Sequence, residues 1–187
     1  RRIRRIFPAL ILVLFASFLF GWFALFSPEY MTLGKHVAGG AAFVANMVLW
    51  HESGYFDTDA ITKPLLHLWS LGVEEQFYFV WPILIWLFWK SHVGFLRLTL
   101  LAGVISFLIC IVTSANDQTA AFYSPLSRFW ELMLGSLLAY LSLRHSHLIK
   151  PATANVRAGI GFGLVVLSLI IVSSHRAYPS WWALLPT

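Results

Sequence analysis

The sequence predicts an all-α, polytopic transmembrane helical domain with about five spans and one short re-entrant or interfacial helix. Hydrophobic residues make up 59% of the 187 residues, and charged residues only 11%. The 16 Phe and 9 Trp exceed what a soluble domain of this size could bury in one core. Apolar runs close to the bilayer-crossing length of about 20 residues recur along the chain. The composition therefore excludes a soluble enzyme or binding module.

Five apolar windows are predicted to span the bilayer. The second window begins in a polar cluster and contains Pro82, which predicts a kink or bracing by neighbouring helices. The single cysteine, Cys110, lies within the third window and is interpreted as lipid-facing or core filler. In chain order, the windows are residues 7–26, about 71–89, 95–112, 122–143 and 156–172.

Residues 36–50 form a doubtful segment, because 15 residues are few for a span. If this segment does not cross, nine Lys and Arg residues lie on one side and three on the other. If it crosses, the split is six against six. The positive-inside rule therefore favours a re-entrant or interfacial segment, with a long outer region at about 27–70.

The whole chain, residues 1–187, is interpreted as one membrane domain that lacks upstream and downstream helices. It opens on RRIRR, without an initiator Met or the order of regions that marks a signal peptide. At the other end, residues 178–187 (YPSWWALLPT) have the aromatic, proline-containing character of a lead-in to another span.

A polar cluster opens the second predicted span. Residues spaced by three, four, seven or eleven positions share one face of a helix. The spacing predicts a polar stripe at the outer end of this span, formed by His67, Ser70, Glu74 and Tyr78. A histidine, a carboxylate and two hydroxyls on one face suit acid–base chemistry or sugar binding. The alternative is a structural role, in which these groups cap the helix and bond to loops.

Further charged residues stand on the fourth window and before the first. Arg128 and Glu131 are three residues apart, the spacing of an ion pair on one helix face. Two charges at membrane depth are costly, so the pair is interpreted as lining a site, with a structural bridge as the alternative. Arg2 and Arg5 belong to a basic cluster that either anchors the topology or binds phosphates of a nucleotide-bearing donor.

Several separated motifs resemble acyltransferase family 3 of the bacterial membrane O-acyltransferases, especially the branch often fused to an SGNH domain. RRIRRIFP resembles the family's RxxR motif with a following R-I-x-P. The other matching strings, in order, are GYFD at 54–57, PLLHLWSLGVEEQFYFVWP at 64–82, FYSPLSRFWELMLGSLLAY at 122–140 and the terminal YPSWWALLPT. The resemblance covers essentially the whole chain.

This resemblance implies transfer of an acyl group, usually acetyl, from acyl-coenzyme A to a carbohydrate hydroxyl at the outer side of the bacterial cytoplasmic membrane. Arg2 and Arg5 would hold donor phosphates, Ser70 and Tyr78 would bind the acceptor, and His67, Glu74, Arg128 and Glu131 would line the site. The family's catalytic histidine is expected upstream of Arg1, so this chain alone is expected to be inactive. No metal and no nucleic-acid partner is expected, and the full-length parent could carry an SGNH domain.

Two alternatives come from other classes of protein. A transporter or flippase could use Arg128, Glu131 and Glu74 as a substrate pathway, and composition alone fits it equally well. A membrane scaffold subunit would tolerate replacement of these residues. Binding of an acyl-coenzyme A donor distinguishes the acyltransferase from both.

Overall fold

The structure is a computed structural model that describes residues 2–53, 63–89, 94–144, 154–171 and 179–187. The side chains of Arg2, Ile3 and Trp89 are not part of that description. Two predicted features lie outside the described residues: the motif at 54–57 and the first residue of the terminal lead-in, Tyr178.

The described residues form eight α-helices and one 3₁₀ helix, with no strand among them. This confirms the predicted all-α class. The α-helices are α1 (Arg2–Ala24), α2 (Ser27–Ala41), α3 (Ala45–Glu52), α4 (Leu68–Trp89), α5 (Phe95–Asn116), α6 (Gln118–Tyr123), α7 (Pro125–Arg144) and α8 (Ala154–Ile171), and the 3₁₀ helix is Trp181–Leu184.

Four helices in the described part of the chain are long and apolar enough to cross a membrane: Arg4–Ala24, Leu68–Phe88, Phe95–Asn116 and Ala154–Ile171. They correspond to four of the five predicted spans, and the protein is a multi-pass membrane protein. The remaining prediction, at 122–143, coincides with α7, which is helical for 20 residues. Because Arg128 and Glu131 lower its mean hydropathy, α7 is not among the four helices that are apolar enough to cross.

Two compact units make up the chain, Arg1–Gln76 and Phe77–Thr187. In the first unit, α2 runs antiparallel to α1. Tyr30, in the first turn of α2, packs against Trp22 near the end of α1, with ring centroids 5.6 Å apart. Further along, Gly40 approaches Leu14, and Phe43 packs edge-on against Phe7 at 5.8 Å. The chain therefore doubles back along most of the length of α1.

The third helix returns along the second, so α2 and α3 form a helical hairpin. A Cβ at Gly39 would lie 2.9 Å from Cγ2 of Val48, which shows how closely the two helices approach. The prediction of a single short helix at 36–50 is therefore wrong, because this segment is divided between α2 and α3. The division falls at residues 42–44, where Phe43 has a positive φ of 57°.

The turn at the tip of the hairpin is a Schellman-type C-cap of α2. The Val44 N–H donates to the Gly39 carbonyl at 2.8 Å, and the Phe43 N–H donates to the Gly40 carbonyl at 3.2 Å. Glycine usually occupies the left-handed position that Phe43 takes here, because a side chain in that region costs roughly 1–2 kcal/mol. The sequence carries no glycine at this position, so the break was not predicted.

The hairpin and the start of α4 share one apolar cluster with the middle of α1. Its buried members are Leu10, Leu14, Leu33 and Leu65, and Leu68 and Leu71 pack against them. The first turns of α4 therefore lie beside the middle of α1 rather than beside its C-terminal end at Ala24. This placement is deeper than the outer end that the sequence predicted for the polar stripe.

In the second unit, a serine of α5 holds the start of α7. The Ser106 hydroxyl donates to the Leu126 carbonyl at 2.5 Å and accepts the Trp130 N–H at 2.9 Å. The fully buried Ser127 hydroxyl contacts the carbonyls of Ala121 and Ser124 at 2.6 and 2.8 Å, which ties α6 to the same turn. The Ser127 bonds occupy carbonyls at the break before Pro125. The Ser106 hydroxyl instead bonds Leu126 and Trp130, which are four residues apart within α7.

Candidate active site

Three of the four residues of the predicted polar stripe lie on α4. Ser70 and Glu74 are exposed, and Tyr78 is half-buried four residues further along. His67 is exposed and stands immediately before α4, so its expected place within the helix is wrong by one residue. Its carbonyl accepts a hydrogen bond from the Ser70 hydroxyl at 3.1 Å. Their predicted roles in catalysis and acceptor binding stay predictions.

The opposite face of α4 is fastened to the hairpin tip by an amide pair. The Gln76 side-chain amide donates to the Asn46 side-chain oxygen at 2.9 Å and to the Phe43 carbonyl at 2.9 Å. In return, the Asn46 amide approaches the Gln76 oxygen at 3.4 Å. Asn46 is fully buried. We call these contacts the amide lock. They provide a hydrogen-bond donor for the Phe43 carbonyl, which lies in the turn and not within a helix.

Gly72 makes the close approach of α4 to the hairpin tip possible. A Cβ at this position would lie 2.9 Å from the Asn46 side-chain oxygen and 3.1 Å from the Phe43 carbonyl oxygen. Gly72 and Gln76 are four residues apart, so they lie on one face of α4. Glu74 is two residues from each, about 200° around the helix, and therefore faces away from the hairpin.

A second polar cluster closes the open end of the hairpin. His36 of α2 is buried, and its Nε2 lies 2.7 Å from a carboxylate oxygen of Glu52 at the end of α3. The Lys63 ammonium lies 3.4 Å from the same oxygen. A histidine, a carboxylate and a lysine from three separate segments thus join α2, α3 and the stretch before α4.

The predicted ion pair on α7 is confirmed. The Arg128 guanidinium donates to Glu131 at 2.8 Å, and the two side chains are 12% and 21% exposed. The Phe122 ring lies 5.8 Å from the Arg128 guanidinium carbon, which places an aromatic face beside the cation. The pair belongs to the second unit, whereas His67, Ser70 and Glu74 belong to the first.

At the start of α1, the described side chains of the basic cluster are exposed. Arg4 and Arg5 both present their guanidinium groups at the surface of the first unit. The Arg2 side chain lies outside the described residues. Donor binding by Arg2 and Arg5 stays a prediction, for which the arginine fork has suitable geometry for phosphate.

A cavity of about 190 Å³ lies between α5 and α7, beneath Leu184 of the 3₁₀ helix. Its lining is apolar and includes Gly103, Trp130 and Met133 but none of the predicted site residues. Among the described residues, no group of three or more His, Cys, Asp or Glu side chains is arranged to hold a metal ion. The expectation that no metal takes part remains a prediction.

The sequence reasoning missed the amide lock and the His36 cluster. Asn46 and His36 stand alone in apolar or small-residue stretches, and their partners are 30 and 16 residues away. Helical spacing reveals partners three or four residues apart, as it did for Arg128 and Glu131, but not partners on separate elements. The one available signal was the polar character of Gln76 on the face opposite Glu74.

Comparison with known families supplies the assignment. The family described as an acyltransferase domain matches residues 1–186 of the chain. The chain belongs to this acyltransferase family. The motifs that suggested the family are therefore confirmed, and the protein is an acyltransferase. No solved structure matches it.

Three bacterial proteins illustrate the similarity of this chain to known sequences. An uncharacterised protein of Haemophilus influenzae is 32% identical over 189 residues, which cover 95% of this chain and 76% of that protein. The peptidoglycan O-acetyltransferase OatA of Listeria monocytogenes is 30% identical over 193 residues, 95% of this chain but 30% of OatA. The putative peptidoglycan O-acetyltransferase YrhL of Bacillus subtilis is 32% identical over 152 residues, covering 74% of this chain and 23% of YrhL. The chain thus spans less than a third of these two longer relatives.

Proposed function

We propose that this chain is part of an O-acetyltransferase of the bacterial cytoplasmic membrane. In this proposal the enzyme moves an acetyl group from acetyl-coenzyme A to a hydroxyl of a cell-envelope carbohydrate. The observation that carries it is the alignment of 95% of the chain with a protein named as a peptidoglycan O-acetyltransferase. Peptidoglycan is accordingly the first acceptor to test. An SGNH domain elsewhere in the parent belongs to the same proposal.

The reaction is an ester exchange at a carbonyl carbon. The acceptor hydroxyl oxygen attacks the thioester carbonyl, a C–O bond forms, and the C–S bond to coenzyme A breaks. A general base removes the hydroxyl proton, and the departing thiolate receives a proton. By resemblance, the base is a histidine upstream of this chain. The residues of this chain bind and orient the two substrates.

We assign Glu74 to the acceptor side in this proposal. It is exposed on the face of α4 that points away from the hairpin, in the turn between Gly72 and Gln76. A carboxylate at membrane depth costs roughly 2.5–3.5 kcal/mol on insertion scales, so such residues usually face a cavity or a substrate path. In this proposal, Ser70 and Tyr78 add hydroxyls that hydrogen-bond the sugar on the same face.

Donor binding is assigned to the first turns of α1. We expect the double variant Arg2→Ala with Arg5→Ala in the full-length parent to weaken acetyl-coenzyme A binding, because it removes two phosphate-binding forks. Arg97→Ala is the matched control, since Arg97 is an exposed arginine in the first turn of α5. Unchanged donor affinity in the double variant would contradict the donor assignment and indicate a different acyl donor.

The function itself is tested by mass spectrometry of cell-envelope glycans from cells that carry the full-length parent. We expect an acetyl mass increment with the intact protein and its loss in Glu74→Gln and Arg128→Ala at matched membrane expression. A missing increment with the intact protein would refute O-acetyl transfer to these glycans and favour a transporter. Wild-type acetylation in Glu74→Gln would contradict the proposed role of Glu74.

A further inference from the structure

The amide lock joins the hairpin to α4 at one short stretch. Gln76 bonds both Asn46 and the Phe43 carbonyl, and Gly72, one turn earlier, leaves room for these same two groups. All of these residues lie in the first compact unit. The contacts are made by two amide side chains and one strained turn, so they fix a single register between the two elements.

This register determines where Glu74 points. Because Gly72 and Gln76 face the hairpin, Glu74 lies on the far side of the same turn and is exposed, whereas the adjacent Val73 is buried. A rotation of α4 by one residue, about 100°, would move Glu74 toward its packed side. The same contacts set the depth of α4, because the hairpin tip is held against the N-terminal half of α1 by Phe43 and Phe7.

We propose that Asn46 and Gln76 are positioning residues, which set the rotation and depth of α4 so that Glu74 is presented to the acceptor. This inference rests on the proposed O-acetyltransferase function for its catalytic consequence but not for its geometry. Asn46 and Gln76 act through α4 and do not themselves contact substrate. The left-handed conformation of Phe43 supports the assignment, since strained turns persist where surrounding contacts over-determine them.

Cysteine labelling tests the geometry without reference to activity. In the full-length parent with its other cysteines replaced, Glu74→Cys and Val73→Cys are each labelled with a water-soluble maleimide. We expect position 74 to react several-fold faster than position 73. We further expect Asn46→Leu and Gln76→Leu to reduce this ratio several-fold, because the rotation of α4 is no longer fixed. Gln76→Asn, which withdraws the amide by one methylene, should give an intermediate ratio.

The matched controls are Asn116→Leu and Gln118→Leu, which remove exposed amides outside the first unit and should leave the ratio unchanged. An unchanged ratio in both lock variants at matched membrane expression would overturn the proposal. So would a protected position 74 in the intact background.

The catalytic consequence is measured separately. We expect Asn46→Leu and Gln76→Leu to lower acetyl transfer by about 10- to 100-fold, as misplacement of a reacting group by about 1 Å does, while acetyl-coenzyme A affinity stays within experimental error. A purely structural role would instead reduce turnover and donor binding together. If the intact parent transfers no acetyl group, the proposed function fails, and the labelling ratio still decides whether the lock fixes α4.

Discussion

At the residue scale, two positions depart from what their residue types prefer, and each departure is offset by a specific contact. Phe43 occupies a left-handed conformation, and its carbonyl is bonded by Gln76 while its ring packs against Phe7. Arg128 brings a charge into an apolar helix, and Glu131 pairs with it. These contacts offset part of the free-energy cost of the left-handed backbone at Phe43 and of the charge at Arg128.

The strain at Phe43 can be isolated by comparing two variants that both lose the ring. Glycine adopts positive φ freely, whereas alanine does not, so we expect Phe43→Gly to be about 1 kcal/mol more stable than Phe43→Ala. At an ordinary helical position the order is reversed. Thermal unfolding of the two purified variants in detergent measures the difference. Greater stability of the alanine variant would show that the turn does not hold φ near 57°.

The ion pair on α7 allows its structural and functional roles to be separated. Removal of one partner leaves a partly buried charge, so we expect Arg128→Leu and Glu131→Leu each to destabilise the protein. The double variant should recover part of this loss, with a coupling energy of about 1–3 kcal/mol. Unfolding measurements give the cycle, and glycan acetylation gives the activity. A double variant that is stable and fully active would identify a purely structural bridge.

At the element scale, the α2–α3 hairpin determines where α4 begins. Its first arm, α2, runs antiparallel to α1, and the chain reverses direction at residues 42–44. Gly72 and Gln76 of α4 contact the tip of the hairpin. The His36–Glu52–Lys63 cluster joins the two arms at the open end. Small residues at the contacts permit the close helix approach that is typical of membrane bundles, where packing replaces the hydrophobic effect between helices.

The close contact at Gly72 predicts that an added methyl group lowers stability there but not at Gly135, where nothing lies close by. Gly72→Ala would place a Cβ 2.9 Å from the Asn46 oxygen, so we expect a loss of about 1–3 kcal/mol from overpacking. Gly135→Ala is the control, because a Cβ there meets nothing within 4 Å and alanine favours the helix by about 1 kcal/mol. Detergent unfolding that ranks Gly72→Ala at or above the parent would contradict the described approach of α4.

At the scale of the whole molecule, the arrangement of charges and the hairpin together predict the topology. The two ends of the hairpin lie together, because His36 of α2 contacts Glu52 of α3. This agrees with the uneven distribution of Lys and Arg that favours a non-crossing segment. On this topology, the start of α2 lies outside and the start of α8 lies in the cytoplasm. A crossing segment would place the start of α8 outside as well.

Two exposed positions test this prediction. We expect Glu29→Cys to react with a membrane-impermeant maleimide in intact cells, and Arg157→Cys to react only after permeabilisation. The parent without introduced cysteines controls for background labelling. External labelling at both positions would contradict this topology, because either the α2–α3 segment would cross the membrane or α7 would not.

The sequence by itself determined the all-α membrane class, four long apolar helices, the α7 ion pair and the acyltransferase family. These features are local: hydropathy over about 20 residues, a spacing of three on one helix, and contiguous motifs. Only the tertiary structure decided that the short segment is a hairpin, that α4 begins beside the middle of α1, and that Asn46 meets Gln76. These features depend on contacts between residues far apart in the chain, and no periodicity within one element encodes which distant partner a buried amide will find.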